Sequence, residues 1–245
     1  MKPFLILQLR PEAEASDDEF AAFLAKGGLG ADQVTRLRLE MQSIPQDIDL
    51  TQYSGVIVGG GPGCVSDDPA SKDPLEARIE SEILTLMPRI IAADMPFLGC
   101  CYGIGILGAA LGGKVGKGKY GEPVGPVECR ITDAGRADPL LDGVADRFNA
   151  FVGHKEAMED LPEGAVHLLS SGPCPIQMLR YKSNIYATQF HPEADGAVFA
   201  NRIRLYKNKG YFAPHEADDL IATCIAAHVD QPERILRNFV ACFGA

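Results

Sequence analysis

The chain has 245 residues, of which 46% are hydrophobic, and a formal net charge of −10, which suits one α/β domain with or without an extension. Because the net charge is negative, nucleic acid and anionic membranes are not expected as partners. No apolar run reaches the length of a membrane span. The seven cysteines show no repeated spacing, and the N-terminal residues do not resemble a signal peptide. Together these features predict free thiols and a cytoplasmic location. Zinc-ligand spacings do not occur, so neither a metal nor a cofactor is predicted.

The first half of the sequence alternates between strand and helix patterns. A helix pattern with Ser16 or Asp17 as its cap separates the first two strand patterns. The predicted strands are residues 4–9, 33–41, 55–58 and 95–98, and the predicted helices are residues 17–26, 74–92 and 104–111. Short apolar strands that alternate with helices predict an α/β fold with a mostly parallel sheet and helices on both faces.

The second half of the sequence changes character. Strand patterns follow one another with few helices between them, which predicts antiparallel strands added at one side of the sheet. The predicted strands are residues 124–131, 147–152, 165–170, 176–182 and 185–190, and the predicted helices are residues 195–207, 214–229 and 232–243. We expect a domain over residues 1–200 and a C-terminal helical extension over residues 201–245. That extension packs on the sheet or, as the alternative, forms a dimer or partner surface.

A glycine-flanked turn carries the candidate nucleophile. The segment Gly99-Cys100-Cys101-Tyr102-Gly103 joins a predicted buried strand to a predicted helix. A strand, a tight turn and a helix in this order present a nucleophile at the carboxyl edge of a parallel sheet, and the glycines allow the sharp turn. Cys101 at the tip is the predicted nucleophile. The helix N-terminus and a nearby imidazolium are expected to lower the pKa of its thiol.

His191 is the candidate general base. It follows a predicted strand in the segment Phe190-His191-Pro192-Glu193, and Glu193 is close enough in sequence to orient the imidazole ring. Among the other histidines, His154 follows Gly153 on a predicted loop and would flank a pocket. A structural histidine and a buried cysteine are the alternatives for these residues, but the nucleophile and the base both fall at predicted strand ends, which favours a site.

A glycine-rich loop supplies candidate oxyanion donors. Gly59-Gly60-Gly61-Pro62-Gly63 follows another predicted buried strand, so it lies at the same sheet edge. Glycines let backbone N–H groups approach a ligand closely, and one such donor together with the N–H of Tyr102 would form an oxyanion hole. The loop lacks the Lys-Ser/Thr pair of a P-loop and a dinucleotide fingerprint; a plain turn is the remaining alternative.

These motifs together resemble the class I (triad-type) glutamine amidotransferases over about residues 1–200, and within that family the glutaminase domain of GMP synthase. The resemblance implies a flavodoxin-like sheet, a γ-glutamyl thioester and a triad of Cys101, His191 and Glu193. It also implies that Gly61 and Tyr102 donate to the oxyanion. The substrate-binding residues that it implies are Gly60, Gly63, Gly105, Gly153, His154 and Lys155.

Two departures from the family pattern concern how substrate is held. The glutamine that the family commonly has two residues after the elbow is Gly105 here, and the usual His-Gly pair is His154-Lys155. Thioester chemistry does not depend on these positions. The donor therefore stays open between free glutamine and another γ-glutamyl compound, whose carboxylate would meet Lys155.

The sequence thus predicts an enzyme in which Cys101 attacks a γ-glutamyl amide, releases ammonia or an amine, and then yields glutamate. A small γ-glutamyl molecule is the expected partner. A synthetase would be a separate chain, because residues 201–245 are too few for an ATP-pyrophosphatase, and a homodimer is left open. The alternatives are a γ-glutamyl peptidase without a synthetase and a non-catalytic regulatory or binding subunit. The motifs disfavour a thiol-based stress protein, because it would not need His191-Pro192-Glu193.

Overall fold

The computed structural model describes residues 2–244, which build a nine-stranded mixed sheet with helices on both faces. The strands are β1 (Phe4–Gln8), β2 (Val34–Arg38), β3 (Gly55–Val58), β4 (Phe97–Cys100), β5 (Val115–Ile131), β6 (Arg147–Met158), β7 (Ala165–Ser171), β8 (Met178–Tyr181) and β9 (Ile185–Thr188). The helices are α1 (Ala13–Gly27), α2 (Pro74–Ala93), α3 (Tyr102–Ala110), α4 (Gly196–Tyr206), α5 (Ala217–Ala226) and α6 (Gln231–Phe243).

The sheet has a parallel half and an antiparallel half, in the order β2-β1-β3-β4-β9-β8-β7-β5-β6. Strands β2, β1, β3, β4 and β9 run parallel, and every pairing from β9 through β6 is antiparallel. The predicted α/β class, with antiparallel strands added at one side, is confirmed.

Three neighbouring parallel strands end together and thereby gather the loops that carry the motifs. Val58 at the end of β3 pairs with Gly99 of β4, and Cys100 of β4 pairs with Thr188 at the end of β9. The glycine-rich loop, the cysteine turn and His191 follow directly after these strands. Parallel register therefore brings three distant sequence segments to one edge of the sheet.

Alternating side chains of β1 anchor the two layers of helices. Phe4 and Ile6 belong to a buried cluster that includes side chains of α1 and α6, whereas Leu5 and Leu7 belong to a cluster with α2 and α3. Successive side chains of a strand point to opposite faces, so a strand that is apolar throughout can bind helices on both sides.

The C-terminal helices occupy two places: α4 follows the motifs and lines a pocket with Cys101, whereas α6 packs with α1 on one face of the sheet. Helix α4 follows the His191 segment, crosses residue 200 and packs with α5 around Phe199, Ile203 and Cys224. The division of the chain at residue 200 remains a prediction. Within residues 2–244 no helix is both long enough and apolar enough to cross a bilayer.

The bounds of α1, β5 and β6 differ most from the sequence prediction, and β6 ends at Met158, six residues later than predicted. Helix α1 begins at Ala13, with Glu12 rather than Ser16 or Asp17 as the N-cap. The N–H of Ser16 already donates to the carbonyl of Glu12 at 2.9 Å, and a polar residue inside a first helical turn is hard to distinguish from a cap. Strand β5 begins at Val115, nine residues earlier than predicted, because its exposed lysines and glycines hide the pairing with β6.

Candidate active site

Cys101 lies at a strained turn between β4 and α3. Its backbone has φ 53° and ψ −95°, a conformation that non-glycine residues rarely adopt and that is typical of functional turns. The N–H of Cys101 donates to the carbonyl of Thr188 at 2.8 Å, which ties the turn to β9. A Cβ at Gly99 would lie 2.7 Å from the carbonyl oxygen of Gly103. Only glycine fits at position 99, so the sequence builds this turn locally.

The thiol of Cys101 is protonated at neutral pH. Burial raises its pKa to about 12, the positive charge of Arg10 opposes this rise, and the carboxylate of Glu193 adds to it. The predicted lowering of the thiol pKa by the helix N-terminus is therefore wrong. Burial disfavours the thiolate more than the helix N-terminus favours it, because a buried thiolate loses its hydration. The residue is 8% exposed.

His191 is held by a buried carboxylate. Its Nδ1 lies 2.9 Å from Oε1 of Glu193, and both residues are buried. A carboxylate can only accept, so Nδ1 carries the proton and Nε2 is left free to accept one. Burial lowers the pKa of His191, and the charge of Glu193 partly offsets that effect. The imidazole is therefore neutral at pH 7.

Arg202 of α4 is a second partner of the same carboxylate. Its Nη2 donates to Oε1 of Glu193 at 2.7 Å. Burial by itself disfavours the ionised form of Glu193, but the charges of His191 and Arg202 outweigh it and hold the pKa of that carboxyl well below its usual range. Glu193 thus stays ionised, and it fixes the ring of His191 together with the edge-on ring of Phe199, 5.6 Å away.

Cys101 and His191 border one cavity without a direct hydrogen bond. Both line a pocket roofed by residues of α4 and of the segment after it. Across residues 2–244 the sulfur of Cys101 makes no hydrogen bond to the imidazole. Catalytic hydrogen bonds often close only when substrate is bound, so the geometry is that of a free site with both groups in place.

Two backbone N–H groups are open beside the sulfur. Within the described part of the chain neither Gly61 nor Tyr102 donates its N–H to a protein acceptor, and both residues line a pocket with Cys101. Gly60 differs, because its N–H donates to Oε1 of Glu19 at 3.1 Å. The predicted pair of oxyanion donors is thus compatible with the geometry, whereas the N–H of Gly60 already has a partner.

The pocket on the Tyr102 side of Cys101, which we call the polar pocket after the side chains of His154, Lys155, Glu156 and Gln189 that line it, includes every residue that the resemblance assigned to substrate except Gly60. A Cβ at Gly105 would lie 2.7 Å from Oε1 of Glu156. That carboxylate accepts hydrogen bonds from the N–H groups of Val65 at 3.0 Å and Ser66 at 2.6 Å. Glu156 therefore fills the space that a larger residue at position 105 would use.

His154 lies in strand β6, which corrects the prediction of a loop. Its Nε2 is 2.7 Å from Oε2 of Glu122, and its Nδ1 is 2.8 Å from the carbonyl of Glu156. The ligand atoms of Glu122, His154 and Cys174 lie within 4.8 Å of one another, and this donor set suits zinc. The three residues are far apart in sequence, so the search for ligand spacings missed them. They are distinct from Cys101, His191 and Glu193.

Several residues of the site carry no signal in the sequence. Arg10, at the end of β1, donates from Nε to Glu19 at 2.8 Å and from Nη1 to the hydroxyl of Tyr206 at 3.2 Å. Arg202 lies in α4, the helix that follows the His-Pro-Glu segment. The centre of the Tyr211 ring lies 4.5 Å from Nζ of Lys155. These contacts join residues up to 196 positions apart, and only the completed fold reveals them.

Comparison with known proteins matches most of the chain to one family. The model of the family "Glutamine amidotransferase class-I" matches residues 29–205. A glutamine-hydrolyzing GMP synthase subunit of Methanoregula boonei is 32% identical over 67% of this chain and 77% of that protein. The corresponding protein of Archaeoglobus fulgidus is 29% identical over 65% and 75%. The longer GMP synthase of Clostridium novyi is 29% identical over 64% of this chain, which spans only 28% of that protein.

Solved structures extend the similarity to the whole fold. A glutamine amidotransferase from Thermotoga maritima superposes with a TM-score of 0.77 at 20% identity, over 99% of this chain and 98% of that one. A glutamine amido transferase from Methylobacillus flagellatus gives a TM-score of 0.71 at 22% identity, over 99% and 96%. At these identities the likeness concerns the fold, and it includes the C-terminal helices.

Proposed function

The chain belongs to the class-I glutamine amidotransferases, and we propose that it cleaves a γ-glutamyl amide through a thioester on Cys101, with His191 as general base and acid and Glu193 as the residue that orients it. The observation that carries the proposal is the fixed imidazole. Nδ1 of His191 is held 2.9 Å from Oε1 of buried Glu193, which leaves Nε2 free, and His191 lines the pocket that contains Cys101. This is the arrangement that a thiol nucleophile requires.

The first half of the reaction forms the thioester. Nε2 of His191 takes the proton of the thiol as the sulfur of Cys101 attacks the γ-carbonyl carbon. Because burial raises the thiol pKa to about 12, proton transfer accompanies the attack instead of preceding it. The carbonyl oxygen becomes an oxyanion between the N–H groups of Gly61 and Tyr102. His191 then gives its proton to the leaving nitrogen, and the C–N bond breaks.

The second half of the reaction releases glutamate. His191, neutral again, removes a proton from a water molecule that attacks the thioester carbonyl. The C–S bond breaks, the sulfur regains the proton from the imidazolium, and glutamate leaves. Glu193 stays ionised throughout, because His191 and Arg202 hold its pKa low. It therefore stabilises the imidazolium that forms in each half.

The charged residues of the polar pocket fit the amino-acid head group of the substrate. Glu156 presents a carboxylate, and Lys155 an ammonium, in the pocket that also contains Gly105, Gly153 and His154. A carboxylate with two bound N–H groups keeps lone pairs for a further donor. We assign Glu156 to the α-ammonium and Lys155 to the α-carboxylate of the γ-glutamyl group.

The test measures glutamate release and traps the intermediate. Purified protein is incubated with glutamine and with γ-glutamyl peptides, next to a Cys101→Ala variant and a matched Cys100→Ala control. We expect glutamate from wild type and from Cys100→Ala, none from Cys101→Ala, and a γ-glutamyl adduct on Cys101 by mass spectrometry. Equal glutamate release by Cys101→Ala would refute the proposal.

A separate synthetase chain is the partner that the relatives favour. Two of them are named as single subunits of GMP synthase, and such a name describes one chain of an assembly. We propose that this chain delivers ammonia to a second protein when glutamine is its donor. Glutaminase activity measured with and without a purified synthetase chain tests this, and an unchanged rate would argue for independent action. A homodimer remains a prediction.

A further inference from the structure

Two pockets meet at Cys101, and different side chains line them. The polar pocket already described lies on the side of Tyr102. The other, which we call the aromatic pocket, is lined by His191 and, on its walls, by Phe199, Tyr206, Tyr211, Phe212, Arg10 and Arg202. Gly61, Gly153 and Tyr211 border both. Cys101 thus lies at the junction of two spaces for two parts of one substrate.

The position of His191 tells which part belongs in which pocket. His191 lines the aromatic pocket and is not among the residues of the polar pocket. The group that protonates the leaving nitrogen must lie within hydrogen-bond reach of that nitrogen. The leaving amine therefore enters the aromatic pocket, and the γ-glutamyl group occupies the polar one. This step rests on the proposed function.

The aromatic pocket is larger and more apolar than ammonia requires. Ammonia is a small polar product, and aromatic rings offer it no hydrogen-bond acceptor of useful strength. Three of the wall residues, Tyr206, Tyr211 and Phe212, lie beyond residue 205, where the family match ends. The segment that contributes these three residues thus lies outside the region that the family model matches.

Two buried arginines add unused donors to the aromatic walls. Arg10 and Arg202 are each 5% exposed. Nε and Nη1 of Arg202 have no acceptor within residues 2–244, and Nη2 of Arg10 donates to none of the described residues. Guanidinium groups that are buried with free donors are well suited to a carboxylate. The pocket therefore combines apolar surface with sites for one anionic group.

We infer that the aromatic pocket receives the second residue of a γ-glutamyl dipeptide, with its aromatic or large apolar side chain among the rings and its α-carboxylate near the guanidinium groups. Attack by Cys101 breaks the γ-amide bond, forms the thioester and releases the second residue as a free amino acid, whose nitrogen takes its proton from His191. Water then releases glutamate. No co-reactant other than water is needed.

The test compares four substrates on the whole protein. γ-Glutamyl-phenylalanine carries both recognised groups, γ-glutamyl-alanine lacks the ring, γ-glutamyl-phenethylamide lacks the carboxylate, and glutamine lacks both. We expect kcat/KM to be highest for the first and to fall about 10-fold or more when either group is removed, since a pocket contact typically discriminates by roughly 10–200-fold. Glutamine should be the poorest substrate.

A pair of variants localises the effect. Phe212 lines the aromatic pocket and not the polar one, so Phe212→Ala should bring the phenylalanine-to-alanine ratio of kcat/KM towards one. Ile225 is exposed on α5 in the same C-terminal region, and Ile225→Ala should leave all four rates unchanged. Circular dichroism checks that both variants are folded, and the wild-type substrate series decides the question if Phe212→Ala is not.

The outcomes separate this inference from the proposed function. If glutamine is cleaved as fast as γ-glutamyl-phenylalanine or faster, the inference is overturned, the aromatic pocket is an exit for ammonia, and the thioester chemistry stands. If no substrate yields glutamate, the proposed function fails, and calorimetry with the Cys101→Ala variant decides. Binding of γ-glutamyl-phenylalanine at least 10-fold tighter than that of the alanine analogue would then support the pocket assignment, and equal affinities would overturn it.

Discussion

Gly105 and Glu156 should behave as a coupled pair. An alanine at position 105 would place its Cβ 2.7 Å from Oε1 of Glu156, well inside ordinary contact distance. The carboxylate would have to move, which would lengthen its hydrogen bonds to the N–H groups of Val65 and Ser66, now 3.0 and 2.6 Å long. Hydrogen bonds to a charged group contribute about 1.5–3 kcal/mol each, so the loss of one sets the scale of the penalty.

The magnitude follows from two opposing terms. Position 105 lies within α3, where alanine is favoured over glycine by about 0.5–1 kcal/mol. Loss of one charge-assisted hydrogen bond outweighs this gain, so Gly105→Ala should lower the free energy of unfolding by about 1–2 kcal/mol. In a Glu156→Ala background the contact with the carboxylate is absent and only the 3.2 Å contact with Cγ2 of Val65 remains, so the same change should be neutral or stabilising by at most about 0.5–1 kcal/mol.

Urea unfolding of the wild type, both single variants and the double variant measures the coupling. We expect an interaction free energy of about 2 kcal/mol, within the usual range for residues in contact. The kcat/KM values of the four proteins report in parallel whether the carboxylate serves the substrate. If Gly105→Ala changes stability by the same amount in both backgrounds, the carboxylate does not occupy the space beside position 105, and the reasoning fails.

Three further predictions concern the proposed triad. Glu193→Gln should lower kcat by about 10³–10⁴-fold, since an amide no longer fixes the tautomer of His191; a loss below 10-fold in steady-state kinetics would contradict this role. Alkylation of Cys101 by iodoacetamide should be slow at pH 7 and should rise steadily towards pH 12, because burial raises the thiol pKa to about 12; a plateau near pH 8 would contradict a buried neutral thiol. The charge of Arg202 adds to burial in lowering the pKa of His191, so Arg202→Met should raise that pKa and move the acid limb of the kcat profile to higher pH; an unmoved limb would show that the charge of Arg202 does not influence His191.

The sequence predicts the sheet and marks the three segments of the proposed site because both depend on local chemistry. Short apolar runs mark strands that are buried on both faces, as in β3 and β4, and the turn at Cys101 needs glycine at position 99 for steric reasons. His191 and Glu193 are two residues apart, so their pairing was also a local feature. Properties of this kind can be predicted without the tertiary structure.

What the sequence could not predict depends on burial and on distant contacts. The thiol of Cys101 was expected to be acidic from its place before a helix, but its pKa is set by withdrawal from water, and burial is a property of the whole fold. The glycine before His154 predicts a loop, whereas pairing of β5 with β6 makes His154 part of a strand. Arg10 and Arg202 enter the site through contacts that no sequence pattern marks.

The hydrogen bond from Cys101 to Thr188 has a consequence for how activity is lost on heating. This N–H, 2.8 Å from its acceptor, lies between two central strands, and amides in such positions exchange with solvent only when the whole sheet opens. The turn that carries Cys101 should therefore lose its structure only when the whole protein melts, so loss of activity on heating should coincide with global unfolding. The segment that carries Tyr211 and Phe212 belongs to no strand, so the walls of the aromatic pocket can open while the bond-breaking machinery remains intact.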